Sequence, residues 1–130
     1  MKILTLVARI LLGFTFLVFG ADKIVDFLHA PMPTGDAGAL MGLMFAHKWI
    51  LFYGIIESAS GLMLLAGRFV PLALTLLAGM GTNILLFNLT LTPSNLPIPL
   101  FLAVLEIYLV YAYRANFAGI FTAIADPNRG

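Results

Sequence analysis

The sequence predicts an all-α integral membrane domain folded as a four-helix bundle, and three observations lead there. Apolar residues make up 62% of the chain and charged residues 10%, where soluble domains run nearer half and about a quarter. Mean hydropathy is +1.05. The apolar residues also gather into separate runs, each close to the roughly 20 residues that cross a hydrocarbon core at about 1.5 Å per residue. The 130 residues are read as a single transmembrane domain. A net charge of +1 offers no basic field for nucleic acid. With no cysteine, thiol redox chemistry and metal sites built on the chain's own thiolates are excluded, so any redox role must use a bound cofactor or substrate.

The first span is read as Ile3–Ala21. Its length, and Arg9 within it, distinguish it from a cleaved secretory signal, so an uncleaved helix is expected. The second is Lys48–Ala66, closed by Gly67, a residue that ends helices in the left-handed conformation. The third, Phe69–Asn88, starts after only Gly67-Arg68, with Pro71 in its first turn, where a missing N–H costs nothing. Thr92-Pro93-Ser94-Asn95 is a turn cluster, and the fourth span is read as Leu96–Tyr113. Two segments do not span. In the loop from Asp22 to His47, the Gly/Met/Leu-rich stretch Ala37–Ala46 is expected to form a short surface helix or an extension of the second span. In the tail, Phe117, Ile120, Phe121 and Ile124 fall at i, i+3, i+4 and i+7, which predicts an amphipathic interfacial helix over Ala115–Ala125.

Basic residues set the orientation. Lys2, Arg9, Arg68, Arg114 and Arg129 fall on one side, Lys23 and Lys48 on the other. The positive-inside rule then places both termini in the cytoplasm. The expected location is the cell inner membrane, with several crossings.

Polar residues at membrane depth are costly and therefore functional by default. Glu57 lies about 15 Å in from Gly67, Arg9 about 9 Å from Ile3, and Glu106 about 10 Å from Tyr113. Arg9 and Glu106 are thus expected to pair at matching depth, with Glu57 one turn away. Each helix carries a polar or small-residue stripe: Arg9, Gly13, Phe16, Gly20 and Lys23; Gly54, Glu57, Ser58 and Gly61; Thr75, Gly79, Thr82 and Asn83; Ala103, Glu106, Val110 and Tyr113. All four are expected to converge on one axis, giving a ligand pocket of Arg9, Glu57, Asn83 and Glu106 with Glu57 as its proton-exchanging, catalytic group. The plainer reading of the Arg–Glu contact is helix register alone, and Arg9 can also snorkel to headgroups. Lys23 and His47 form an expected outer cluster, and Asp22/Lys23 reads as an interfacial ion pair. His29, Met32, Met41, Met44 and His47 carry thioether and imidazole groups that suit Cu(I). Methionine more commonly fills irregular apolar gaps, so no metal site is assigned.

Arg9-Ile-Leu-Leu-Gly13 followed by Phe16-Leu-Val-Phe-Gly20-Ala-Asp-Lys23 resembles the first-helix signature of the DoxX family of small four-helix bacterial membrane proteins. Glu57-Ser-Ala-Ser-Gly61-Leu-Met-Leu-Leu-Ala-Gly67-Arg68-Phe is similar to its second helix and hairpin. The Met-rich loop and the tail after Arg114 lie outside the resemblance. It implies a family linked to membrane redox, whose members include a subunit of a thiosulfate:quinone oxidoreductase and a component of an oxidative-stress complex with soluble partner enzymes. The function expected is a redox-associated membrane subunit that binds a quinone or similar amphipathic molecule, with electrons supplied by a soluble redox partner. The alternatives are a non-catalytic scaffold for soluble enzymes, or a small proton-coupled exporter. Small-residue faces leave both monomer and homo-oligomer open.

Overall fold

The computed structural model describes residues 2–26, 28, 31–120, 122–124 and 126–127. The helices are α1 (Lys2–Val25), α2 (Gly35–Ala46), α3 (Trp49–Ala66), α4 (Val70–Leu91) and α5 (Pro97–Ala112), with 3-10 turns at Pro93–Asn95 and Arg114–Phe117. Among the described residues α1, α3 and α4 are long and apolar enough to cross a membrane. At 16 residues, α5 is about 24 Å long. It matches the fourth expected span to within one residue at each end, Leu96 and Tyr113 serving as its caps, and the Pro93–Asn95 turn precedes it as read.

Helices α1, α3, α4 and α5 form a ring in which each packs on the next and α5 returns to α1. The core between them is Leu12, Phe16, Leu64, Leu74, Leu77 and Leu109, with Ala8, Ala73 and Leu102 beside them. Large apolar side chains such as Ile3, Phe14, Phe52, Leu62, Phe101 and Ile107 point outward. A soluble protein rarely shows so continuous an apolar exterior, and a lipid-facing one must. The expected outer-loop helix is present as α2, which lies against the ends of α3 and α4 at the end of the bundle opposite the α3–α4 turn.

The closest packing is between α1 and α3. A Cβ added at Gly13 would stand 2.9 Å from the Gly61 carbonyl oxygen, and one at Gly61 2.5 Å from that of Gly13. At Gly20 and Gly54 the corresponding distances to each other's carbonyl oxygens are 2.8 and 2.7 Å. Two antiparallel backbones therefore touch along matched glycines, the device by which membrane helices gain packing energy without a hydrophobic driving force. At the α3–α4 turn, Gly67 adopts φ +71°, and the N–H groups of Gly67 and Arg68 bond the Leu64 and Met63 carbonyls. This satisfies the last carbonyls of α3 and turns the chain directly into α4.

Two expectations are corrected. The α4 stripe of Thr75, Gly79, Thr82 and Asn83 is exposed, and α4 instead buries Val70, Ala73, Leu74, Leu77 and Met80. The threonines need no inward partner, because Thr75 and Thr82 donate to the Pro71 and Ala78 carbonyls of their own helix at 2.9 and 2.7 Å. Among the described residues of the tail, the helical part is the 3-10 turn Arg114–Phe117. Phe117 is buried in the core, Ile120 and Ile124 are exposed, and Phe121 lies outside the described residues. Asn116, Gly119 and Thr122 are weak helix formers, consistent with the described residues 118–120 and 122–124 continuing no helix.

Candidate functional site

Glu57 is fully buried, and its partner is Lys23 rather than Arg9. The lysine Nζ lies 3.0 Å from Oε2 and donates a hydrogen bond to Oε1 at 3.2 Å. Helix geometry explains the meeting. Side chains lean toward the N-terminus of their own helix. In the antiparallel α1–α3 pair, Lys23 therefore leans from the α2 end into the bundle, and Glu57 leans outward to meet it. Gly54 completes the arrangement, since a side chain there would run 2.9 Å from the Lys23 Cβ. A buried carboxylate alone would be severely penalised, and a cation close to both oxygens and hydrogen-bonded to one of them offsets much of that cost.

The pair sits at the edge of a partly open cavity of about 390 Å³ lined by α2, α3 and the adjoining half of α4. Leu40, Met41 and Met44 of α2 form one wall, Trp49, Ile50 and Tyr53 of α3 a second, and Met80, Ile84 and Phe87 of α4 a third. Besides Trp49 and Tyr53, the lining residues with polar side chains are few: the Lys23–Glu57 pair, Asn83, Asn88 and Thr90. Asn88 is committed locally, donating to the Ile84 carbonyl at 2.8 Å and accepting from the Thr92 hydroxyl at 2.7 Å. Asn83 makes no hydrogen bond to a described residue. A mostly apolar chamber with a small convergent polar set is the usual form of a small-molecule site.

The expected pocket is therefore divided. Glu57 and Asn83 share the α2-covered cavity. Glu106 lines a second one, of about 210 Å³, between α4 and α5, with Phe16, Thr82 and Leu102 among its walls. Both Glu106 carboxylate oxygens are buried without a described hydrogen-bond partner. Arg9 lies at the other end of α1, where it donates to the Tyr113 hydroxyl at 3.4 Å and packs on Gly67. No ion pair joins Arg9 to either acid among the described residues, which removes the expected Arg9–Glu106 contact. Arg9 faces the Tyr113 end of the bundle, whereas Glu106 faces the α4–α5 cavity lined by Phe16 and Leu77.

The outer cluster changes too. Lys23 turns inward, and His47 is exposed at the C-cap of α2. Asp22 does not pair with Lys23; its Oδ1 accepts the Leu28 N–H at 2.7 Å and holds the loop. Met41 and Met44 serve as apolar wall, while His29 lies outside the described residues. The Lys23–Glu57 contact went unread in the sequence, although a signal existed. Gly13 and Gly20 have the same spacing as Gly54 and Gly61, and pairing them antiparallel brings Lys23 to the Glu57 face.

The family model for DoxX matches residues 4–90. That stretch takes in Arg9, Lys23, Glu57 and Asn83, together with α2 and nearly all of α4, and leaves Glu106 and Tyr113 beyond it. No curated protein and no solved structure matches the chain. With two thirds of its length covered, including both glycine-lined helices and the whole ion pair, the chain belongs to the DoxX family.

Proposed function

We propose that the chain is a redox-associated subunit of the bacterial inner membrane, crossing it several times with both termini cytoplasmic, and that it binds a quinone or similar amphipathic molecule beneath α2. The observation that carries this reading is the buried Lys23–Glu57 pair at the edge of an apolar chamber. An isoprenoid or other apolar body fits the methionine, leucine and aromatic walls. A carbonyl oxygen would be met by the Lys23 ammonium, which keeps 26% of its side-chain surface accessible.

Reducing a quinone to its quinol consumes two electrons and two protons. Glu57 and Lys23 form a hydrogen-bonded acid–base pair able to hold and pass a proton inside a dry site. The electrons come from a soluble redox partner, since the chain has no thiol of its own to supply them. Asn83 adds a second polar contact for an oxygen of the head group.

Photolabelling with an azidoquinone in native membranes tests the proposal. Labelling should map to α2, α3 and α4 around the cavity, be displaced by excess quinone, and fall at least tenfold in Glu57→Gln and Lys23→Gln. Displaceable labelling that is indifferent to both substitutions would refute it. The scaffold alternative has less support, because Arg114 is engaged by its own helix end. It donates to the Tyr111 carbonyl at 2.9 Å and stacks over that ring at 4.3 Å.

A further inference from the structure

At the end of the bundle remote from α2 lies a recess of about 470 Å³ between the first turns of α1 and the end of α5. Lys2, Thr5, Leu6 and Arg9 stand at i, i+3, i+4 and i+7, so one stripe of α1 faces Ala112 and Tyr113. No acidic side chain lines it among the described residues. Arg9 Nε is buried there without a hydrogen-bond partner. The guanidinium's one described bond is the long contact to Tyr113, whose oxygen accepts and whose proton remains available to donate. Gly67 backs the guanidinium so closely that a Cβ there would lie 3.0 Å from Nη1. The group is thus held in place with donors unused, the situation in which an anionic oxygen gains most.

We propose that this recess binds the phosphate of an anionic phospholipid. Arg9 offers a planar fork of donors, Lys2 a second charge, and Tyr113 a neutral donor. A phosphodiester carries the complementary charge and acceptor oxygens. The acyl chains have a ready surface, because Ile3, Leu6, Val7 and Ile10 are exposed on α1 beside the recess. That apolar track favours a lipid over a free anion. Basic pockets at the cytoplasmic ends of membrane helices are suited to such headgroups. This site is independent of the cavity beneath α2.

The test is native mass spectrometry of the full chain in neutral detergent, titrated separately with phosphatidylglycerol, phosphatidylcholine and inorganic phosphate. Phosphatidylglycerol should bind once per chain, at least tenfold more tightly than phosphatidylcholine. Lys2→Gln and Arg9→Gln should each weaken it about fivefold, and Glu57→Gln should leave it unchanged. Arg9 packs against the α3–α4 turn, so circular dichroism must confirm folding of that variant. Lys2→Gln, in the first turn, reports independently. Equal binding of the two lipids, or phosphatidylglycerol binding untouched by both charge removals, overturns the site. Inorganic phosphate binding as tightly as phosphatidylglycerol, and lost with Arg9→Gln, overturns the lipid assignment in favour of a free phosphate.

Discussion

Replacing Lys23 by Met tests the central geometry most directly. At 3.0 Å, two unit charges in an effective dielectric of about 20 attract by roughly 5 kcal/mol before desolvation is counted. Removing one partner of a buried pair costs about 3–5 kcal/mol, because the other is left uncompensated. Here the survivor is Glu57, with no exposed surface, while the departing lysine is partly accessible. The expected loss is therefore near the lower bound, about 3 kcal/mol. Glu57→Leu should cost less, about 1 kcal/mol, since an orphaned lysine stem can turn its ammonium toward the interface. The double variant, with the pair replaced by apolar side chains, should return to within about 1 kcal/mol of the parent. Equilibrium unfolding in mixed micelles, followed by far-ultraviolet circular dichroism, measures all four proteins. A Lys23→Met loss below about 0.5 kcal/mol, or single losses that simply add in the double variant, would refute an energetically coupled pair.

Other predictions follow from the packing and the cavities. Gly61→Ala should destabilise by about 1–3 kcal/mol, because the new methyl meets the Gly13 carbonyl oxygen at 2.5 Å and the Leu17 nitrogen at 2.6 Å. Gly79→Ala, with nothing within 4 Å, should be neutral or stabilise by up to about 1 kcal/mol in the same unfolding assay. Glu106→Gln should not lower stability by more than about 0.5 kcal/mol, since neither carboxylate oxygen has a described partner to lose. Met44→Trp should fill the chamber beneath α2 and reduce displaceable azidoquinone labelling at least tenfold, with circular dichroism unchanged. Asn83→Leu should weaken labelling without altering the unfolding midpoint, as its amide is bonded to no described residue.

The helices were legible because each is an apolar run punctuated by local chemistry. Gly67 and Pro71 mark the α3–α4 turn in the sequence, and the structure uses both as read. Glu57 was legible as an unusual residue for the same reason that it is costly, a carboxylate among leucines. Its partner was not, because depth along a helix axis says nothing about azimuth. Arg9 and Glu106 were matched on counted depth alone, and the structure gives them different surroundings, Tyr113 and Gly67 for one and the α4–α5 cavity for the other. The α4 face was misjudged because hydroxyl groups looked polar, although a threonine bonded to its own i−4 carbonyl presents little but a methyl to its surroundings. The tail was misjudged because i, i+3, i+4 spacing describes a face only if a helix forms, and Gly119 lies within that stretch.

The glycine seam has a mechanical consequence for the chamber beside it. Where two main chains are in direct contact, neither can slide or rotate without collision, so α1 and α3 behave as one stiff post with Lys23 and Glu57 mounted on it. The opposing walls have no such constraint: α2 is a short lid, and Gly42 on it, like Gly79 and Gly81 on α4, has empty space where a side chain would go. Under the proposed function, a guest would find room to enter on the α2 and α4 side and would meet the Lys23–Glu57 pair on the stiffer one. On the proposed function, admission and chemistry would fall to different halves of the same small bundle.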